Sequence, residues 1–362
     1  MDFVRPSKQD LTTQTLFAEL LDHVKIFEAS RSLGHVPGTF VTKTIKGIPY
    51  YYFQASIPGG ETRQAYIGKQ SPTLDRVAAQ FAAEKSSLAT EEKDMQRLCA
   101  QLRTGGAIST EASAVRVLEA LSDTGLFHAG GVLVGTHAMA VFGNLLGARW
   151  ASGALRTQDI DVAFPAVEVA VPNHAGDLPT ALERLKMGFL PVPALNSRKP
   201  SSSFKVRGSA LRLDILTPAR AGSEKPIFLP RWNTAAQPLP FLDYLLEEPL
   251  PGAVINGKPV FVHVPPPARF AFHKLIIQGE RWAGDAARSS KDVHQSGQLF
   301  SLLLDDRPGD ISLAWDALQK RGHSWVTKAR RGLGVLKSIG FPRTEELLNL
   351  LSIDRPRSPD RN

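Results

Sequence analysis

Apolar positions Leu11, Leu16, Leu20, Leu21, Val24 and Phe27 recur at helical spacing and predict a helix from about 10 to 33. Gly34 and Pro37 stop it. The period then falls to two. Thr39–Thr44, Tyr50–Ser56 and Thr62–Gly68 are rich in β-branched and aromatic residues, and the turn-forming stretches Lys46-Gly47-Ile48-Pro49 and Pro58-Gly59-Gly60 separate them. This pattern predicts a three-stranded antiparallel meander. A long helix over about 73–103 follows, and Thr104-Gly105-Gly106 breaks it.

From Thr110 to Leu126 helical spacing returns, with Ala114, Val115, Leu118 and Leu121 on one face and Gly125 to close it. Gly131–Val134 reads as a short buried strand, Thr136–Leu146 as a helix ended by Gly147, and Asp159–Phe164 as the next strand. A short helix over Leu178–Met187, a polar irregular stretch over Pro191–Arg207 and an alternating strand over Ser209–Leu216 come next. The proline-rich segment Pro218–Pro240 reads as an extended loop, and Val254–Val264 as a hairpin around Asn256-Gly257. After Pro265-Pro266-Pro267 helices are predicted at about 268–279, 286–304, 311–321, 324–338 and 343–351, with disorder from Arg355 onward and no internal repeat.

With 362 residues the chain favours two or three domains over one. The pattern divides it into 1–106 (helix, meander, long helix), 107–265 (a mixed sheet with helices), 266–352 (a helical domain) and a disordered tail over 353–362. At 43% hydrophobic and 22% charged it has the make-up of a soluble globular protein. No apolar run nears the roughly 20 residues that span a bilayer, and Met1–Pro6 carries no basic-then-apolar signal pattern. Cys99 is the single cysteine, which excludes an internal disulfide framework and a cysteine zinc site, and it reads as a packed helix residue. These features favour the bacterial cytoplasm and no membrane partner.

The net charge of +8 changes the picture of partners. Lys320, Arg321, Lys328, Arg330, Arg331, Lys337 and Arg343, then Arg355, Arg357 and Arg361, concentrate the excess near the C-terminus. A basic surface gathers polyanions; a solvated helix face plus a frayed tail is the rival account. The meander carries the same question. Lys43, Lys46, Arg63 and Lys69 beside Tyr50, Tyr52 and Tyr66 make a basic–aromatic surface suited to nucleic acid. Alternatively the tyrosines are core or strand-surface residues and the lysines guard sheet edges.

The candidate chemistry sits in the middle of the chain. Asp159 and Asp161, in Asp159-Ile160-Asp161-Val162, fall on one face of a strand, because side chains alternate with period two. Two acids so placed repel each other unless a cation lies between them, and magnesium takes carboxylates and phosphate oxygens together. An acid flanked by Ile160 and Val162 on a buried strand is costly without a counter-charge; a turn or capping acid is the alternative. Asp214, in Leu211-Arg212-Leu213-Asp214-Ile215, is a third candidate. A salt bridge between Asp214 and Arg212 is not expected, since on a shared strand face each needs solvent. Gly135-Thr136 lies in a strand-to-helix turn, where free N–H groups and the helix dipole favour an anion such as a triphosphate. His137, at that helix start, reads as a packed histidine.

Strand, glycine turn, helix, Asp-x-Asp strand and a later strand with a lone acid: in this order the elements resemble the nucleotidyltransferase superfamily, the polymerase-β-like fold. The resemblance covers about 128–300 and is nearest to bacterial nucleotidyltransferase-like proteins related to abortive-infection and toxin types. It implies an α+β fold in which Gly135 and Thr136 hold nucleotide phosphates, Asp159 and Asp161 bind metal and Asp214 completes the site. The turn departs from the usual Gly-Gly or Gly-Ser, and the segment Gly147–Arg156 before the paired acids is longer than in minimal members.

In those branches a helix bears Lys-Leu and the next bears Lys-Asp. Lys274 and Asp292 match in type and order, within His273-Lys274-Leu275, Arg281 and Lys291-Asp292. The resemblance gives Lys274 to the triphosphate and Asp292 to support of the site; Lys205 and Arg156 are further cationic candidates. For each of these a surface charge or an i,i+4 pair is the alternative. The implied activity is transfer of a nucleoside monophosphate from a nucleoside triphosphate, ATP among them, to a hydroxyl acceptor. Two magnesium ions serve it, with manganese as a substitute, and Asp214 shares the acceptor-side metal and helps deprotonate the hydroxyl. RNA such as a tRNA end, a protein hydroxyl or a small molecule could accept, and a toxin-like or defence role goes with the branch. A degenerate nucleic-acid-binding protein is the rival of a different class.

Overall fold

The computed structural model describes residues 3–29, 38–56, 62–151, 155, 157–165, 177–193, 200–219, 225–280 and 286–352. Arg156, Arg281 and the tail from 353 lie outside the described residues. The chain opens with β1 (Ser7–Lys8) and α1 (Leu11–Ala29). Asp10 starts α1 by accepting from the Thr13 amide at 2.8 Å. The helix buries Thr13, Phe17, Leu20, Leu21 and Val24; Leu11, expected on that stripe, is 77% exposed. The meander forms as predicted, from β2 (Thr39–Ile45), β3 (Ile48–Ser56) and β4 (Thr62–Lys69), all antiparallel. Ser71 caps α2 (Pro72–Thr104), accepting from the Leu74 amide, and Pro72 occupies the first turn. Of this long helix only Phe81, Met95, Cys99 and Leu102 are buried. Phe81 holds the meander through Phe40 and Phe53, with ring centroids 5.4 and 5.5 Å away. The other three, Cys99 included, join the main core.

The central part runs α3 (Ala112–Asp123), β5 (Val132–Val134), α4 (Gly135–Leu145), β6 (Ala148–Arg149), β7 (Asp159–Ala163), α5 (Leu178–Arg184), β8 (Phe189–Pro191), β9 (Ser203–Val206), β10 (Arg212–Pro218), β11 (Ile227–Leu229), β12 (Thr234–Leu239) and α6 (Leu242–Leu245). The hairpin β13 (Leu250–Ile255) and β14 (Pro259–Val264) closes it. A seven-stranded mixed sheet carries the order β11-β12-β10-β7-β5, with β8 and β9 added beside β10. β7 and β12 run parallel to β10, while β5 runs antiparallel to β7. Two expectations fail here. The segment over Pro218–Pro240 is not a loop throughout, for it supplies β11 and β12. The stretch over Pro191–Arg207 is not irregular throughout, since β9 pairs with both β8 and β10.

The last part is helical, as predicted: α7 (Pro267–Glu280), α8 (Ala286–Asp306), α9 (Pro308–Gln319), α10 (His323–Ser338) and α11 (Thr344–Leu350). α7 and α10 approach closely, and a side chain at Gly332 would put its Cβ 2.2 Å from the Leu275 carbonyl oxygen. One hydrophobic core runs from α1 through the sheet, where Ile160, Val162, Leu213 and Ile215 are fully buried, to α11. Several C-terminal cations are committed locally. Arg321 pairs with Asp243 and Glu247, Arg343 with Asp305 and Glu346, and Lys337 with Glu345. Among the described residues no helix is long and apolar enough to cross a membrane.

Candidate active site

Alternation along β7 sends Ile160 and Val162 into the core and leaves Asp159 and Asp161 on the opposite face. The same alternation on β10 buries Leu213 and Ile215 and leaves Arg212 and Asp214 on that polar face. Parallel register sets Arg212 beside Asp159 and Asp214 beside Asp161. The next strand extends the grid: β9 places Lys205 beside Arg212 and Ser203 beside Asp214. The sheet therefore brings Asp159, Asp161, Asp214 and Lys205 onto one surface.

β5 closes the other side, with Val134 as register partner of Asp161. The chain then turns straight into α4, whose first residue, Gly135, has φ +66°. A Cβ at Gly135 would lie 2.3 Å from Asp161 Oδ2. Glycine is needed there twice over, for a left-handed backbone and for contact with a carboxylate. The start of α4 has no side-chain cap, which leaves its first N–H groups and the positive end of the helix dipole uncapped at the turn that packs against the Asp161 carboxylate.

The helices α7 and α8 bring positive charge to this corner. Lys274 Nζ donates to Asp292 Oδ1 at 2.5 Å in a largely buried pair. Lys291 Nζ donates to Thr136 Oγ1 at 2.9 Å. Lys291 is the residue that reading the sequence named beside Asp292 without giving it a role, and it is the one that reaches the glycine turn. It was visible as the neighbour of Asp292, but adjacent helical residues point about 100° apart, and only the packing shows which faces the turn. The other correction concerns Arg212. Its Nε donates to Asp214 Oδ1 at 2.9 Å and to Ser203 Oγ at 2.8 Å. The polar face is open enough for this pair to form, with Arg212 45% exposed, so the assumption that two such groups would stay apart in solvent does not hold.

Electrostatics follow from the crowding. Burial, then the neighbouring Asp214, with a smaller push from Asp159, raises Asp161 to about 6 against the pull of Lys274 and Arg212. Burial and the charge of Lys274 lower Lys291, while Asp292, Asp159 and Asp161 pull it back up. Burial, helped by the Lys291 charge, holds His137 down to about 4, so it is a neutral packed imidazole. His273, beside Lys274 in sequence, is held down to about 3 by burial. Neither imidazole is suited to shuttle protons near neutrality.

The donor set suits a hard divalent cation: carboxylate oxygens, two of them side by side, on a face where burial and the neighbouring Asp214 make Asp161 resist ionisation. It is not a gathered cage. Among the described residues no three or more His, Cys, Asp or Glu side chains are grouped as a metal site; Asp214 is paired with Arg212.

No curated protein and no solved structure matches the chain. A family model described as nucleotidyltransferase matches residues 112–320, from the start of α3 to the end of α9. That span is more than half of the sequence, and it contains the glycine turn, the three acids and the lysines of α7 and α8. The chain belongs to the nucleotidyltransferase family.

Proposed function

We propose that the polar face of β7 and β10 carries out magnesium-dependent transfer of a nucleoside monophosphate from a nucleoside triphosphate to a hydroxyl acceptor. The observation that carries this reading is the register that sets Asp214 beside Asp161 while Gly135 closes against the same Asp161 carboxylate. In the reaction an acceptor oxygen bonds to the α-phosphorus, the bond to the bridging oxygen breaks, and pyrophosphate leaves. Asp159, Asp161 and Asp214 would hold the metal, which supplies charge neutralisation at the attacking and leaving oxygens. Arg212, held by Asp214 and Ser203, orients the Asp214 carboxylate to take the acceptor proton. The N–H groups that open α4, the Thr136 hydroxyl and the Lys291 ammonium face the triphosphate. Lys274 supports them through Asp292, with Lys205 exposed on the same face.

A second reading is a binding module that does not turn over. The ion pair Arg212–Asp214 favours it, because it occupies a carboxylate that a metal would share. One experiment separates them. Purified protein is incubated with each α-labelled nucleoside triphosphate, magnesium, and either total RNA or total protein. Label that appears in an acceptor with wild type and is absent with Asp159→Ala/Asp161→Ala establishes transfer. No label from any triphosphate leaves the binding reading standing.

A further inference from the structure

The meander has two unlike faces. Phe40, Tyr51 and Phe53 point to α2, where the Tyr51 hydroxyl donates to Asp75 at 2.8 Å. The register sets the opposite face: Lys43 beside Tyr50, Tyr50 beside Lys69, and Tyr52 beside Tyr66. Tyr66 is 60% exposed. Its ring centroid lies 6.0 Å from that of Tyr50 and 5.6 Å from that of Tyr52, and Lys43 Nζ sits 5.0 Å over the Tyr52 ring. Gln64 donates to Gln54 across the same face. Four of the five tyrosines in the chain lie in this small sheet, and no described residue from 38 to 70 is acidic. Glu61, in the connection between β3 and β4, lies outside the described residues.

We infer that this face is a platform for a single-stranded polynucleotide, with bases stacked on Tyr50, Tyr52 and Tyr66 and phosphates beside Lys43 and Lys69. Aromatic rings on an open sheet accept any unpaired base through its π-face, and lysines at the rim meet the backbone. The residue types fit a protein partner less well. Such interfaces are depleted of lysine and anchor on side chains buried in pockets, whereas here lysine and glutamine are interleaved with the rings. A duplex fits less well too, since its bases are already stacked. The inference does not need the transfer reaction. Binding and turnover are read separately, so either can fail alone.

The test measures anisotropy of labelled 20-nucleotide probes with the full chain, both wild type and Asp159→Ala/Asp161→Ala. The probes are unpaired RNA, unpaired DNA and the corresponding duplex. Saturable binding to unpaired strands, at least about tenfold tighter than to duplex and kept in the double variant, is expected. Tyr66→Ser should weaken it about fivefold or more while Tyr66→Phe keeps it. Lys43→Gln/Lys69→Gln, exposed changes that leave the fold intact, should flatten the slope of log K against log salt by about 1.4. The inference is overturned by any of three results: no saturable binding, equal binding to duplex, or affinity unmoved by both Tyr66→Ser and the lysine pair. It is also overturned if sedimentation shows that this face instead pairs two copies of the chain, with Tyr66→Ser releasing monomers.

Discussion

Asp214 on β10 lies directly beside Asp161 on β7, as its register partner in a parallel strand pair. Two carboxylates are thereby fixed side by side on a sheet whose other face is core, and neither can move away without breaking the ladder. The chemistry proposed for this chain depends on that pairing, and so does its response to pH.

Asp161 makes the stability of the chain depend on pH. Burial and the adjacent acids lift it from 3.8 to about 6. Its protonated form therefore stabilises the folded chain, fully so below about pH 4, and the contribution is lost as pH rises through about 6. Asp161→Asn stays neutral, so in EDTA its melting temperature should fall less between those limits than that of wild type. Near neutrality it should be more stable by roughly 3 kcal/mol. Identical pH profiles of melting temperature for the two proteins would contradict the environment assigned to Asp161.

Adding magnesium should reverse that ranking. A cation bound by ionised Asp161 stabilises wild type and not Asp161→Asn, and binding releases a proton. Stabilisation by magnesium is expected to grow with pH through about 6, read as the shift in melting temperature at fixed metal concentration. A shift of equal size in the variant would place the metal elsewhere.

Gly135→Ala puts a methyl group against the Asp161 carboxylate at a backbone angle that disfavours it. It should cost about 1–2 kcal/mol of stability and abolish transfer under conditions where the variant is still folded. Near-normal turnover would show that the turn does not have to press against the acid.

Lys291→Gln removes the ammonium that reaches Thr136. The expected result is a rise in KM for the triphosphate of about tenfold, for a loss of roughly 1.4 kcal/mol, with Lys291→Arg recovering part of it. Steady-state kinetics with varied triphosphate decide this; a pure fall in kcat would assign Lys291 to the acceptor side.

Arg212→Gln leaves Asp214 without its guanidinium. Because Arg212 is half exposed, the pair adds under about 1 kcal/mol to stability. Melting should hardly change, while turnover falls by about tenfold or more. A large loss of stability at unchanged activity would make Arg212 a structural residue only.

How much of this could be read from the sequence depended on whether a pattern or a packing decided it. Asp159 and Asp161 could be paired because strands alternate with period two, and Asp214 because Leu213 and Ile215 flank it in the same way. The helices of the last third were visible from their spacing. β12 was not, since prolines made its segment look like a loop. Pro238 is tolerated because it lies beyond Ala236, the end of pairing with β11, where one side of the strand is open. Arg212 was misjudged because it and Asp214 were each expected to keep to solvent, whereas the half-open face lets them pair. Lys291 needed the rotation of α8 about its axis, which residue spacing does not report.

Gly332 on α10 lies directly against the backbone of α7 at Leu275. With no room for even a methyl group against the Leu275 carbonyl, α10 acts as a fixed rail for α7, and Lys274 is the next residue along. A bulkier residue at 332 would have to push the whole of α7 aside. The position of Lys274 and its partner Asp292 is thus set from α10, by a residue that carries no side chain of its own.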